Sequence, residues 1–479
     1  MITAKRMAAV DANAAALGLP RKQLMESSGS AVARVVREVS DELETDTPTV
    51  AVVAGRGNNG GDALVAARFL DDYDLRIVLL GRPETITTDI ARENWEALER
   101  GEYPTEQVRD STQLDLGDPA LVVDAMLGTG ISGALREPTA SAARATNEFD
   151  GSVLSVDVPS GLNAEDGSLA DNSVEPDHVV TFHDTKPGLD TLDATVTVAD
   201  LGIPEAAQRF VERGDLLRLS RDPASHKGDN GEVLVVGGGP YTGAPALSAQ
   251  AALRAGADLV RVAAPETVAR EIQGYSENLI VREYDGDVLT PDHTEWLTDL
   301  AAGHDTVVVG PGLGDADATL SAVETLLTDF DGTAVVDADA LSVVPDIDTD
   351  AELICTPHQG ELVGMGGETS DNWRERADLV ERFAGDIGHT LLVKGADDVI
   401  SDGERTRVSR TGNAGMTVGG TGDVLAGVTG ALACVLEPHD AASIGAYANG
   451  IAGDAVVEEY GTGLVATDLI DAIPTALRN

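Results

Sequence analysis

Short valine-rich runs recur through this chain, and each ends in a glycine or aspartate turn that leads into a helical pattern. Residues 49–54, 75–80, 121–123 and 152–156 are such runs in the first half; 231–236, 260–263, 306–309, 334–337, 353–356 and 390–393 follow in the second. An apolar run with no polar alternation is a strand buried on both faces, which in practice means a parallel sheet covered by helices. Helical spacing of apolar residues marks helices near 5–18, 22–39, 63–70, 90–100 and 246–257. The fold class that follows is α/β, with two αβα sandwiches whose ligands sit beyond the carboxyl ends of the strands. At 479 residues the chain is too long for one ordinary domain.

Charge narrows the function classes. Asp and Glu number 82 against 33 Lys and Arg, a formal net charge of −49. The acid is spread along the chain, so it marks no disordered tail, and it excludes a basic nucleic-acid face. It is the composition of a halophile's cytoplasmic protein, in which salt screens self-repulsion. No apolar run reaches membrane-spanning length, and residues 1–6 begin no signal peptide. Cys355 and Cys434 cannot form a disulfide framework. A cytoplasmic location is expected, with no membrane partner.

Four glycines crowd the turn Asn413-Ala414-Gly415-Met416-Thr417-Val418-Gly419-Gly420-Thr421-Gly422-Asp423, ahead of a small-residue helix. Backbone N–H groups from Gly420 to Asp423, aided by the helix dipole, suit an anion there. A carboxylate beside a phosphate has one obvious task, taking a proton from a hydroxyl. The alternative is that Asp423 merely caps its helix.

In the first half, Gly55, Gly57 and Gly60 match a dinucleotide fingerprint, but Leu80-Gly81-Arg82 stands where an acid should follow the second strand. Ordinary NAD oxidoreductase chemistry is therefore rejected. Instead Asn58-Asn59-Gly60-Gly61-Asp62, Asp124 to Gly130 and Asp157-Val158-Pro159-Ser160-Gly161 all follow strands and converge on one sheet edge. Their amide, hydroxyl, carboxylate and carbonyl oxygens are hard ligands, suited to an alkali or alkaline-earth cation rather than zinc.

Gly420-Thr421-Gly422-Asp423 resembles the Gly-x-Gly-Asp signature of ribokinase-like kinases. With Gly310-Pro311-Gly312-Leu313-Gly314, Thr356-Pro357-His358-Gln359-Gly360-Glu361 and Val393-Lys394-Gly395-Ala396-Asp397, the second half resembles the ADP-dependent NAD(P)H-hydrate dehydratases. The first half resembles the NAD(P)H-hydrate epimerases, including Phe182-His183-Asp184-Thr185-Lys186-Pro187-Gly188. The resemblance implies a Rossmann-like epimerase domain over 1–215 and a ribokinase-like dehydratase domain over 216–479. It implies substrates NADHX and NADPHX, the hydrates of the reduced cofactors, with ADP consumed and AMP released. It implies K+ held by Asn59, Asp124 and Ser160, and Mg2+ at the dehydratase site. Epimerase substrate would lie on Asn58, Asn59, Gly60, Gly61, Asp62, Gly128, Thr129, Gly130, Ile131, Ser132, Gly133 and Ala134, with Asp157 as acid/base. The dehydratase substrate would touch Ala257, Gly312, His358 and the base Asp423, and the nucleotide would touch Lys394, Gly395, Ala396, Asp397, Asp398 and Gly422. Gly420, Thr421 and Gly422 would form the anion hole.

Asp337 and Asp339 are read as turn caps, and His183 and Lys186 are left unassigned. Three of the five lysines, Lys186, Lys227 and Lys394, fall in loops flanked by glycine or proline. A homo-oligomer is expected. The rival reading is a sugar or vitamin-alcohol kinase joined to a non-catalytic binding module. Pro357-His358 with Lys394-Gly395-Ala396, and Asp157 with the Asn58–Asn59 pair, weigh against it.

Overall fold

The computed structural model describes residues 1–43, 48–130 and 133–478, which form two compact units, Met1–Ala207 and Gln208–Asn479. The first unit is built on seven strands: β1 Thr49–Ala54, β2 Asp74–Leu80, β3 Thr105–Val108, β4 Leu121–Ala125, β5 Ser152–Val156, β6 His178–Phe182 and β7 Thr195–Ala199. They lie side by side as β3-β2-β1-β4-β5-β6-β7, all pairs parallel. Strand order reverses between β1 and β4, which opens a crevice at their carboxyl ends.

The second unit holds β8 Glu232–Val236, β9 Leu259–Pro265, β10 Ile280–Tyr284, β11 Thr306–Val309, β12 Thr333–Val336, β13 Glu352–Cys355, β14 Thr390–Val393, β15 Asp398–Ser401 and β16 Thr406–Ser409. Its sheet runs β10-β9-β8-β11-β12-β13-β14-β15-β16, parallel as far as β14 and then antiparallel. The α/β class expected from the strand–turn–helix alternation is what the chain adopts.

Alternation along each strand sends neighbouring residues to opposite faces, and both faces are buried. In β1, Val50 and Val52 join Leu64, Trp95 and Val32 on one face, while Ala51 and Val53 join Ala142 and Ala143 on the other. In β8, Val233 and Val235 meet the alanine-rich helices Gly243–Ala255 and Thr421–Ala433, while Leu234 and Val236 pack on Val323 and Leu326. Those two helices lie in close contact because Gly427 has no side chain: a Cβ there would stand 2.0 Å from the Ser248 carbonyl oxygen. The small-residue pattern before residue 428 thus reflects helix packing.

Three differences from the sequence reading matter for the sites. The helix expected from residue 63 begins at Asn58, with Gly57 as its N-cap, so Asn58 to Asp62 form its first turn rather than a loop. Asp124 is inside β4, not beyond it. The β15–β16 hairpin went unread, because two four-residue strands around the turn Asp402–Arg405 leave too short a pattern. Among the described residues, no helix is long and apolar enough to cross a membrane.

The start of the second unit is fixed by one buried ion pair. Arg407 in β16 donates to both carboxylate oxygens of Asp215 at 2.8 Å, and to the carbonyls of Gln208 and Phe210 at 3.0 and 2.8 Å. Both side chains are buried. Asp215→Ala would strand the guanidinium, a loss of about 3–5 kcal/mol, read as a lowered urea midpoint of the full chain. A loss below about 1 kcal/mol, the scale of an exposed pair, would mean that other contacts tether residues 208–215.

Candidate active sites

In the first unit the crevice is a cleft of about 1550 Å3 lined by Asn58, Asn59, Asp62, Gly128, Thr129, Gly130, Ala134 and Asp157 together with Asp11 and Lys186. Gly60 and Gly61 are buried beneath it. Gly133 is exposed. Ile131 and Ser132 lie outside the described residues.

Asp157 follows β5 directly and sits at φ 62°, a left-handed conformation that costs a non-glycine residue energy and marks functional turns. Its Oδ1 takes an ion pair from Lys186 Nζ at 2.8 Å and a hydrogen bond from Thr181 Oγ1 at 3.1 Å. Lys186 is 1% exposed, and its ammonium also donates to Thr181 Oγ1 at 2.8 Å and to the Phe182 carbonyl at 2.9 Å. Two more carboxyls share this pocket. Burial, and then the charge of Asp157, push Asp62 well above the usual carboxylate range. Burial pushes Asp11 up to about 6 against the pull of Arg21.

Across the switch point stands the hard-oxygen cluster. Asp124 is buried and accepts from Ser155 Oγ at 2.8 Å, Ser160 Oγ at 2.6 Å, Ser160 N–H at 2.9 Å and Met126 N–H at 3.2 Å. Burial nevertheless raises its pKa against those bonds. Asn59 Nδ2 donates to the Leu127 carbonyl at 2.8 Å, and Leu127 N–H donates to Ser160 Oγ at 2.9 Å. Among the described residues Asn59 Oδ1 is buried with no partner. A buried carboxylate close to an orphaned amide oxygen is a donor set that a monovalent cation would satisfy.

In the second unit, Asp337 follows β12, His358 follows β13, Lys394 follows β14, and Asp423 stands in the first turn of helix Thr421–Ala433. Lys394 Nζ meets Asp337 Oδ1 at 2.9 Å and Glu361 Oε2 at 3.7 Å. Burial opposes its charge, but Asp337 and Glu361 outweigh it and hold the ammonium above the ordinary lysine range. A Cβ on Gly422 would lie 3.3 Å from that ammonium, so the glycine turn and Lys394 share one space. Gly420, left-handed at φ 96°, is the N-cap, and the first intrahelical bond is Val424 N–H to the Gly420 carbonyl at 3.1 Å. The N–H groups of Thr421, Gly422 and Asp423 precede it and are free for an anion. Asp423 is therefore not the cap. Burial, then repulsion from Asp337, push it up to about 7, with Lys394 pulling the other way.

Asp337 is a correction to the sequence reading. It makes no capping hydrogen bond; it is buried, accepting from Thr356 Oγ1 at 2.7 Å and pairing with Lys394. Asp339 is exposed in the first turn of the 3-10 helix Ala338–Asp346. Ala257 stands apart from these residues. It precedes β9 and lies in the core at the amino edge of the sheet, where Asp258 N–H bonds the Gly231 carbonyl at 2.9 Å. It shares a core face with helix Thr421–Ala433 but lies at the opposite end of the strands from Asp423. The residues that approach Gly312 are at the other end of that helix: a Cβ on Gly312 would lie 2.6 Å from the Tyr241 carbonyl and 3.2 Å from Pro245 Cδ.

His358 caps helix Gln359–Gly364, its Nδ1 accepting from Gly360 and Glu361 N–H at 3.0 and 3.1 Å. In the neutral ring this leaves Nε2 as the donor on an exposed side chain beside Lys394. Gly395, Ala396 and Asp397 form the turn between β14 and β15, with Gly395 N–H on Oδ1 of Asp398, the first residue of β15, at 2.8 Å. Burial pushes Asp398 up to about 7. The sequence left Lys186 without a role and missed Asp11 and Glu361. Lysine scarcity was the signal for Lys186; Asp11, one acid in a surface helix pattern, carried none.

A family model for NAD(P)H-hydrate dehydratase matches residues 233–475, and one for the YjeF-related protein N-terminus matches residues 21–188. The bifunctional NAD(P)H-hydrate repair enzyme Nnr of Methanothermobacter thermautotrophicus is 43% identical over 494 residues, covering 98% of this chain and 94% of the relative. The enzyme of the same name from Archaeoglobus fulgidus is 41% identical over 480 residues, covering 99% and 98%. Among solved structures, the ADP/ATP-dependent NAD(P)H-hydrate dehydratase from Bacillus subtilis, co-crystallised with ATP/Mg2+, aligns with a TM-score of 0.50 at 26% identity. That alignment covers 56% of this chain and 97% of the relative.

The raised Asp423 carboxyl has a stability signature. A pKa lifted from 3.8 to about 7 means that the folded protein binds an extra proton in that window. Its contribution to stability is full below about pH 4 and is lost as pH rises through about 7. Asp423→Asn removes this penalty, so the variant should gain on the parent as pH goes from about 5 to about 8, read as urea midpoints. An offset independent of pH would mean an ordinary carboxylate.

Proposed function

The chain belongs to the family of bifunctional NAD(P)H-hydrate repair enzymes, and from that premise we propose how its residues divide the two activities, epimerase and dehydratase. Reduced nicotinamide can take up water across a ring double bond, giving R and S hydrates. The first unit interconverts them and the second restores the cofactor from the S form.

In the second unit the hydrate's ring hydroxyl attacks the terminal phosphoryl group of ADP, and AMP leaves. Asp423 takes the hydroxyl proton, while Thr421 and Gly422 N–H groups and Lys394 hold the phosphate charge. Hydroxide is a poor leaving group and phosphate a good one, so breaking the carbon–oxygen bond with loss of the neighbouring ring proton restores the double bond. The single observation that carries this reading is Asp423 standing uncapped at an open helix N-terminus beside the Lys394–Asp337 pair. Mg2+ would neutralise charge on the transferred phosphates. The described residues hold no cluster of three His, Cys, Asp or Glu side chains on one point, which suits an ion entering on the nucleotide and keeping waters.

In the first unit Asp157 exchanges the proton and Lys186 holds its carboxylate in place. K+ would be held by Asn59 Oδ1, Asp124, Ser160 Oγ and the Leu127 carbonyl, supplying positive charge at the edge of the cleft. The acid-rich surface and two free cysteines suit a salty, reducing cytoplasm.

The direct test incubates purified protein with mixed R and S hydrates, with and without ADP, following reduced-nicotinamide absorbance. Consumption of both forms only with ADP is expected; a phosphorylated product released and left unconverted would favour an ordinary kinase. Asp423→Asn should bind both nucleotides yet turn over roughly 10²–10⁴ times more slowly. Wild-type turnover at saturating ADP would remove Asp423 from the mechanism. For the cation, K+ should raise the thermal midpoint of the parent protein above its value in a large organic cation, and Asn59→Ala should abolish that difference. An undiminished K+ effect in the variant would dismiss the assignment.

A further inference from the structure

The strand ends on one side of the first unit's crevice carry arginine. Arg56 comes two residues after β1, Arg82 two after β2, and Arg109 directly after β3, and these three strands are neighbours in the sheet. Gly81 N–H donates to the Val108 carbonyl at 2.8 Å, so Arg82 and Arg109 leave adjacent points. The Arg56 side chain crosses Gly81, where a Cβ would lie 2.7 Å from its Cδ, and its Nη1 rests on Thr85 Oγ1 at 3.2 Å. All three line the cleft that holds Asp157.

They also lack an acid partner. Elsewhere in this unit Arg68, Arg76, Arg92 and Arg100 each pair with a carboxylate. Among the described residues Arg56, Arg82 and Arg109 have no such partner, in a chain where acids outnumber bases 82 to 33. Three unneutralised guanidinium groups at one rim await an anion brought by the ligand.

The substrate offers two: its diphosphate and, in the NADP form, the 2′-phosphate. A diphosphate in a doubly wound sheet sits over the helix N-terminus after β1, here Asn58. The ends of β2 and β3 lie further out, toward the adenosine ribose. An acid at the end of the second strand would hold a free 2′-hydroxyl and repel a phosphate; Gly81-Arg82 stand there instead. We propose that Arg82 and Arg109, steadied by Arg56, bind the 2′-phosphate of the NADPH hydrate and make the epimerase site favour it over the NADH hydrate. This rests on the first unit's being the epimerase.

The test uses the full chain at fixed salt. For the parent, kcat/KM for epimerisation of NADPH hydrate should exceed that for NADH hydrate, and in R82A and R109A the ratio should fall roughly ten- to a hundredfold, chiefly through KM. An unchanged ratio, including equal losses with both hydrates, overturns the assignment. Binding is read separately with adenosine 2′,5′-bisphosphate against 5′-AMP. The parent should prefer the bisphosphate and R82A should lose the preference; a parent with no preference also overturns it. If the parent epimerises neither hydrate, the epimerase reading fails, and the bisphosphate titration still judges the arginine site.

Discussion

A strand buried on both faces has room for reactive polar groups only at its ends, and both sheets obey that constraint. Asp124 is the last residue but one of β4, and Asp157, Asp337 and Lys394 follow β5, β12 and β14 directly. Each sits where packing gives way to the crevice, close enough to the core to be desolvated and close enough to the edge to meet a ligand. Desolvation then does the selecting. A buried ammonium without a counter-charge would be costly, and each unit answers with a lysine–aspartate pair, Lys186 on Asp157 at 2.8 Å and Lys394 on Asp337 at 2.9 Å.

The two pairs leave different residues available. Lys186 is fully engaged by Asp157, Thr181 and two backbone carbonyls, so it fixes a carboxylate already held in a left-handed turn. Lys394 is shared among Asp337, Glu361 and the field of Asp423, and one ammonium cannot neutralise three carboxylates. Burial, and then the repulsion of Asp337 that Lys394 only partly offsets, lift Asp423 to about 7, where it can hold or yield a proton near neutrality. The shared ammonium also means that a phosphate cannot enter on Lys394 alone. The open N–H groups of helix Thr421–Ala433, and positive charge arriving with the nucleotide, have to share the load.

Most of the architecture was legible because unbroken valine runs have few meanings. That Asp423, Asp157 and the Asn59–Asp124–Ser160 set gather at the carboxyl edges was legible because glycine turns and strand-end acids mark those edges. What escaped depends on tertiary contact. A cap and a buried ion-pair partner share one sequence signature, an Asp after a strand, and only Thr356 and Lys394 distinguish Asp337. Ala257 shows the converse: its motif ends a helix, and only the fold shows that this end lies at the amino edge of the strands. Asp11 belongs to the pocket only because helix Ala4–Ala16 packs there.

The charge raises a last question, how a chain of −49 binds polyanionic substrates at all. Range supplies the answer. Repulsion between an acidic surface and an approaching dinucleotide acts over many ångströms, and at about 1 M salt the screening length shrinks to about 3 Å. Contacts at hydrogen-bond distance inside a cleft are shorter than that and partly shielded from salt. Salt at that level would remove the penalty of the acidic surface while sparing short-range contacts at Lys394, the helix N-terminus and the arginines at the rim. An acidic exterior is then compatible with a polyanionic ligand as long as the clefts keep such short-range donors.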